Sequence, residues 1–409
     1  MTAPLTVIGM AGGVPAAGRA AVDGARLAVG AARHLAAASL PLGCETVTLG
    51  PLDPALTRLH ERLREGAPAV LLASGDPGFF GIVRRLRADG LDPHVVPAPS
   101  TVAVAFAREG RSWDGAAVVT AHGRDLEPAL NACRALPLVA VLTEPGAGAA
   151  ELGAGLAGWS RRLVVAERLD TPDERVVEVT PEQAAVADWA HPHVVLCCGP
   201  SDGGPDEVMR ADNQPAAAPS VGWALPETAY AHRDSMITKA EVRALAVARL
   251  APRLGRLVWD VGAGSGSVGV ECAALGAAVI AVDADPAACA LVRANAARHG
   301  VGAAVRVVEG SAPGALAGLP APSAAFVGGG GPAALAAVLE RGPRRVVVAL
   351  AALDRVGPAL AALRAAGYRT DGVQLAASRL ADLPGGSVRL AATNPVTVLT
   401  GEREGVDLR

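Results

Sequence analysis

Short apolar runs alternate along the chain with longer Ala-, Leu- and Arg-rich stretches of helical character. That alternation predicts an α/β fold built mostly on parallel sheets. In the first half the runs Leu5–Ile8, Ala69–Ala73, His94–Val96, Ala117–Thr120, Leu138–Leu142, Leu163–Ala166 and His193–Cys197 read as strands. Between residues 199 and 220 the apolar periodicity stops, and Gly, Pro, Asp and Ala dominate. Such a stretch reads as an interdomain linker. A second alternation follows, with strands expected at Leu257–Val261, Ala278–Val282, Val305–Val308, Ala324–Val327 and Arg345–Ala349. A late pair is expected near Gly372–Leu380 and Ser387–Leu399. The resulting division is a domain over 1–200, a linker over 201–220 and a domain over 221–409, with the two halves expected to fold separately.

A length of 409 residues fits two or three domains, and 51% hydrophobic residues supply sizeable cores. The net charge is −3, aromatic residues make up 3%, and no polybasic block is present. Nucleic-acid grooves and stacking platforms need both basic and aromatic groups, so nucleic acid is not expected as a partner. A polycarboxylate substrate stays open, because a few arginines bind one without changing the net charge. Cys44, Cys133, Cys197, Cys198, Cys272 and Cys289 form no C-x-x-C pair and suggest no disulfide framework. The first residues lack a basic leader, and the apolar runs are too short to span a membrane, so a cytoplasmic protein without membrane contact is expected.

The sharpest chemical signal is Arg256–Gly269, RLVWDVGAGSGSVG. A strand ends at Asp260-Val261, Gly262-Ala263-Gly264-Ser265-Gly266 turns, and a helix follows. Glycines there let the backbone turn tightly and approach a ligand. A second strand ends at Asp283, whose carboxylate can accept both hydroxyls of a ribose. The dinucleotide pattern G-x-G-x-x-G would require glycine at position 267, which is Ser267. G-x-G-x-G after an aspartate suits S-adenosylmethionine (SAM), whose ammonium can use a nearby acid and which has no pyrophosphate. Thr238-Lys239-Ala240-Glu241 reads as a capping box, and Thr238 is also placed to reach the cofactor. Ser311 and Ala312 follow the third strand of this half, where an adenine would lie. Gly328–Gly331 ends the fourth strand and reads either as room for a wide planar substrate or as a flexible loop.

In the first half, Gly9 lies in a Gly-rich turn, Val7–Gly13, after the first strand. Ser74–Gly81, SGDPGFFG, ends another strand and feeds a helix expected over 79–87; Asp76 can cap that helix or touch a ligand. Pro97–Thr101 and Ala121–Arg124 are further loops at strand ends. Together these loops mark a crevice of an open α/β sheet. His191, His193 and Cys197 match no usual zinc spacing, so no metal site is expected.

These motifs resemble the decarboxylating precorrin-6Y C5,15-methyltransferase family of cobalamin biosynthesis over essentially the whole chain. VIGMAGG, SGDPGFFG and WDGAAVVTAHGR are similar to a tetrapyrrole methylase domain. LPETAYAHRDSMITKAEVR, WDVGAGSGSVGVE, AVDADP, EGSAPGAL, FVGGGG and ATNPVTVL are similar to a class I methyltransferase domain. The resemblance implies a two-lobed α/β first domain and a Rossmann-like second one, each with its own SAM. It further implies methylation of precorrin-6B at C5 by the first domain and at C15 by the second. Loss of the ring C acetate carboxylate would accompany the C15 step and give precorrin-8, and self-association is expected. The implied cofactor contacts are Thr238, Gly262 to Gly266, Asp283, Ser311 and Ala312 in the second domain, and Gly9 and Asp76 in the first. Ala11 and Ser311 stand where the family pattern has Gly and Asp, and Ala98 and Pro99 depart from its run of Pro, Gly, an aliphatic residue and two Ser or Thr. Arg379 and Arg389 are candidate carboxylate-binding residues, with solvated surface the favoured reading of each; no residue is nominated for decarboxylation. The alternatives are a SAM methyltransferase for another small molecule, with the first half a binding module, and a non-catalytic tetrapyrrole carrier.

Overall fold

The computed structural model describes residues 4–79, 81–200, 223–233 and 237–403. The expected linker, 201–220, lies outside them.

The first sheet is wholly parallel. It contains β1 (Leu5–Met10), β2 (Leu27–Gly30), β3 (Glu45–Thr48), β4 (Ala69–Ser74) and β5 (His94–Val96), in the order β3-β2-β4-β1-β5. A second sheet takes β6 (Ala117–Thr120), β7 (Leu138–Leu142), β8 (Arg162–Glu167), β9 (Arg175–Val179) and β10 (His193–Cys198), in the order β6-β7-β10-β8-β9. Only β6 and β7 pair in parallel there.

The third sheet has seven strands. They are β11 (Leu257–Val261), β12 (Ala278–Asp283), β13 (Val305–Glu309), β14 (Ala324–Val327), β15 (Arg345–Leu350), β16 (Arg369–Leu375) and β19 (Val396–Glu402), ordered β13-β12-β11-β14-β15-β19-β16. Between β16 and β19 a separate hairpin pairs β17 (Ser378–Asp382) with β18 (Val388–Ala392). Alternate residues of the central strands sort into two cores. Val258, Val279, Phe326 and Val347 lie in one, and Trp259, Ile280, Ala325 and Val346 in the other. Both faces are therefore covered, which is why these strands are continuous apolar runs.

Three strands were not expected from the sequence. β3 and β9 are edge strands with alternating or partial burial, and β2 is a four-residue stretch in an Ala-rich region. The expected late pair is four strands: residues 372–380 run from β16 into β17, and 387–399 from β18 into β19.

The halves meet at a seam. Trp159, 6% exposed, packs into the core that contains Leu257 and Ile280. Arg161 donates to the Ala303 carbonyl at 2.9 Å, Asn131 to the Gly255 carbonyl at 3.2 Å, and Arg306 to the Ala157 carbonyl at 3.3 Å. Among the described residues, no helix is long and apolar enough to cross a membrane.

Candidate functional site

In the second half, β11 and β12 end side by side, with Val261 opposite Val282. The turn after β11 needs its glycines: φ is +71° at Gly262, +57° at Gly264 and +72° at Gly266. A Cβ on Gly262 would also lie 2.5 Å from the Gly329 backbone. The Gly262 and Ala263 amides donate to the Val282 carbonyl at 2.9 and 3.2 Å, so the loop is anchored to β12. Ser265 is buried, and Gly266 opens the helix Ser267–Ala274.

Asp283 ends β12. Its two carboxylate oxygens accept the Gly264 amide at 2.8 Å and the Asp285 amide at 3.0 Å. This fixes the carboxylate beside the loop, and each oxygen keeps acceptor capacity for a ribose hydroxyl. Glu309, Gly310, Ser311 and Ala312 follow at the neighbouring strand end, and the Gly310 amide donates to the Asp283 carbonyl at 2.8 Å. Ser311 is exposed and Ala312 half-buried. The structure thus brings Gly262–Gly266, Asp283, Ser311 and Ala312 to one sheet edge.

Asp260 lies beneath the loop, 1% exposed. One carboxylate oxygen accepts the Gly269 amide at 2.9 Å, and the other has no partner among the described groups. Burial, with a lesser push from Asp283 and against the Gly269 bond, raises its pKa to about 7. An unpartnered buried acid below a glycine cradle, beside a ribose-type carboxylate, fits the ammonium, backbone and ribose of SAM.

Thr238 does not cap the following helix, Ala240–Leu250: the first residue outside that helix is Lys239, and the Ala240 amide is taken instead by Glu227 at 3.2 Å. Thr238 belongs to a strap, described over 223–233 and 237–239, that is stitched onto the cofactor elements. Glu271 accepts the Ala224 and Leu225 amides, the Tyr230 hydroxyl and Arg243, at 2.6–3.1 Å. Asn295 bridges the Ala231 backbone to the Ser265 carbonyl at 2.8–2.9 Å. Arg243, Glu271 and Asn295 are all buried. None was singled out from the sequence, because their partners are distant in the chain. Arg243 and Glu271 sit on helices, where charge ordinarily marks a solvated face.

Arg379, read from the sequence as solvated surface or as a carboxylate contact, is engaged within the chain. Arg379 donates to both oxygens of Glu227 at 2.7 and 2.8 Å and to Glu241 at 2.9 Å, so it fastens the hairpin to the strap. Arg389 lies on exposed β18. Gly328 and Gly329 also differ from expectation. A Cβ on Gly329 would stand 3.2 Å from the Gly262 Cα, so this glycine lets two loops touch rather than opening a floor.

In the first half, a cavity of about 1120 Å³ opens between the two sheets, at the ends of β1, β4, β6, β7 and β8. Four arginines line it: Arg33, Arg84, Arg124 and Arg168. Gly9 is packed so closely that a Cβ would lie 2.4 Å from the Gly75 carbonyl oxygen and 2.8 Å from the Ala98 Cβ. Asp76 lines the cavity and accepts the Gly78 amide at 2.8 Å; the helix starts only at Ile82, so Asp76 closes a turn and does not cap it. Both ring nitrogens of His193 are engaged, by the Ala149 amide at 3.1 Å and the Ala190 carbonyl at 3.0 Å. No group of three or more candidate metal ligands occurs among the described residues.

A paired-sheet half with a cavity between its lobes, joined to a half built on a Rossmann-like sheet with a glycine turn at its strand ends, defines a fused tetrapyrrole methylase and class I methyltransferase. The sequence matches tetrapyrrole (corrin/porphyrin) methylases over residues 18–185 and the precorrin methyltransferase domain over residues 228–399. A precorrin-6Y C(5,15)-methyltransferase [decarboxylating] from Sinorhizobium sp is 37% identical over 339 residues, spanning 80% of this chain and 78% of that protein. A probable cobalt-precorrin-6B C(15)-methyltransferase (decarboxylating) from Pyrobaculum calidifontis is 41% identical over 142 residues, 33% of this chain and 71% of that protein. The C-terminal domain of precorrin-6Y C5,15-methyltransferase from Rhodobacter capsulatus has a solved structure with 34% identity, covering 45% of this chain and 100% of that one, at a TM-score of 0.41. The chain belongs to the decarboxylating precorrin-6Y C5,15-methyltransferase family. Membership carries use of SAM.

Proposed function

We propose that this protein methylates precorrin-6B at C5 and C15 and removes the ring C acetate carboxylate, giving precorrin-8, with one SAM held by each half. The observation that carries this reading is the presence of two separate cradles, the arginine-lined cavity of the first half and the Gly262–Asp283 edge of the second. We assign C5 to domain 1–200 and C15 with decarboxylation to domain 221–409. The Pyrobaculum relative, alignable with only a third of this chain, bears the C15 and decarboxylating name alone, which supports joining those two steps on one domain.

SAM supplies an electrophilic methyl group on sulfur. The protein's part is alignment and exclusion of water. In the second half, Asp283 would hold the ribose, Asp260 the ammonium, and Ser311 and Ala312 the adenine. Thr238, on the strap, would add a further cofactor contact. In the first half, Gly9 and Asp76 would border the cofactor, and Arg84, Arg124 and Arg168 would bind carboxylates of the macrocycle. The reading extends to a cytoplasmic enzyme that takes a small-molecule partner and self-associates.

The test is stoichiometric. The purified full chain, given precorrin-6B and SAM, should release two S-adenosylhomocysteine and one CO2 per macrocycle, read by mass spectrometry. One methyl on a different acceptor, or none, overturns the reading.

A further inference from the structure

His34 lies on the short helix Ala32–Ala37, and Ser74 ends β4. Both line the N-terminal cavity, as does Arg33. His34 is 8% exposed, with Nε2 3.3 Å from the Ser74 Oγ. The Arg33 guanidinium donates to the same Oγ at 2.8 Å. A guanidinium only donates, so the hydroxyl accepts from Arg33 and is free to turn its own proton toward His34 Nε2 in the tautomer that leaves this nitrogen unprotonated. The imidazole is then neutral, with its lone pair on Nε2. Burial first, and Arg33 second, hold the His34 pKa down at about 4, against a smaller opposing effect of the Leu72 carbonyl. The hydroxyl stands one residue from Gly75, whose carbonyl oxygen presses on Gly9 of the cofactor turn. Several other acceptors around the cavity are already engaged or exposed, while Glu144 keeps a half-buried carboxylate there. His193 uses both nitrogens, Asp76 holds the Gly78 amide, and His122 is 72% exposed against Glu144.

We infer that Ser74 and His34 form the proton acceptor of the N-terminal cavity, taking the proton that the methine carbon loses once it has been methylated. The inference rests on the proposed C5 methylation. As the carbon's π pair bonds to the methyl group, the C–S pair stays on sulfur, and the macrocycle gains one methyl and one positive charge. The C–H pair of the same carbon then returns to the ring. Its proton passes to Ser74 Oγ while the hydroxyl proton passes to His34 Nε2, and the imidazolium later returns one proton to solvent. Arg33 fixes the hydroxyl and acts through it.

The experiment uses the full-length protein, its Ser74→Ala, Ser74→Thr and His34→Gln variants, and precorrin-6B with hydrogen or deuterium at C5. Nitrogen-15 NMR of the ligand-free protein at pH 7 should show a neutral His34 with an unprotonated Nε2. Calorimetry should show SAM binding to all variants, which checks their folding. In single turnovers, Ser74→Ala and His34→Gln should release S-adenosylhomocysteine at close to the parent rate. They should regain the conjugated absorbance about 100-fold more slowly, within the usual range for general base catalysis. That slow phase should carry a primary deuterium effect, and Ser74→Thr should remove it. A protonated Nε2, unchanged chromophore recovery in both crippled variants, or loss of methyl transfer itself with SAM still bound would each overturn the proposal. If the parent protein transfers no methyl to C5, the functional reading falls, and the dyad falls with it.

Discussion

Asp260 carries a stability signature of its own. Its carboxyl is buried, and its pKa rises from 3.8 to about 7 on folding. The native protein therefore keeps a proton that the unfolded chain gives up across that interval. Stability from this group is complete below the unfolded value and is lost as pH rises toward the folded one. Asp260→Asn removes the charge that burial opposes. Without cofactor, the variant should be more stable than the parent above pH 7 by a few kcal/mol, and the gap should close toward pH 4. Urea midpoints measured across that range check the sign. At this scale the sequence was legible where chemistry and spacing coincide. Asp260, the Gly262–Gly266 turn and Asp283 stand at successive strand ends, so their proximity followed from the α/β pattern. Glu271, Asn295 and the Ser74–His34 pair were not legible, because each depends on a contact between distant segments.

The loops after β11 and β14 form one element in practice. Gly262 and Gly329 pack backbone to backbone, and a Cβ at 329 would stand 3.2 Å from the Gly262 Cα, so a branched side chain there crowds the turn. Gly329→Val should displace the Gly262–Gly266 turn. We therefore expect SAM binding to the second half to fall at least tenfold, together with C15 methylation and CO2 release, while C5 methylation continues. Calorimetry on the full chain, which should lose one of two binding events, separates this from a substrate-only defect. Buried strands were legible as elements because both faces are covered, leaving unbroken apolar runs. The edge strands β3 and β9 lack that signature, and the β17–β18 hairpin blurs into its neighbours because it is exposed on one face, with Leu380 and Leu390 in the open. The capping box at Thr238 was a sound local reading defeated by tertiary context: Glu227 reaches the helix start first.

In sequence the chain divides at 199–220, most of which lies outside the described residues, and nothing there marks the seam. Trp159 looks like any core aromatic, and Arg161 and Asn131 bond to backbone carbonyls that leave no mark in sequence. Proteolytic cleavage near Asp212 should give two folded halves that still elute together on size exclusion. Trp159→Ala, which empties a buried aromatic site at about 3–5 kcal/mol, should let the cleaved halves separate. The seam also makes heat resistance a shared property. Where two cores melt in a single cooperative step, a ligand that touches only one of them protects both. S-adenosylhomocysteine at a hundred times its dissociation constant adds about 2.7 kcal/mol to whatever unit releases it on unfolding. In the intact protein that unit is the whole chain, so filling the second half's site should delay thermal collapse of the first. With Trp159 removed, the calorimetric trace should split in two, and only the peak belonging to the ligand's own half should move.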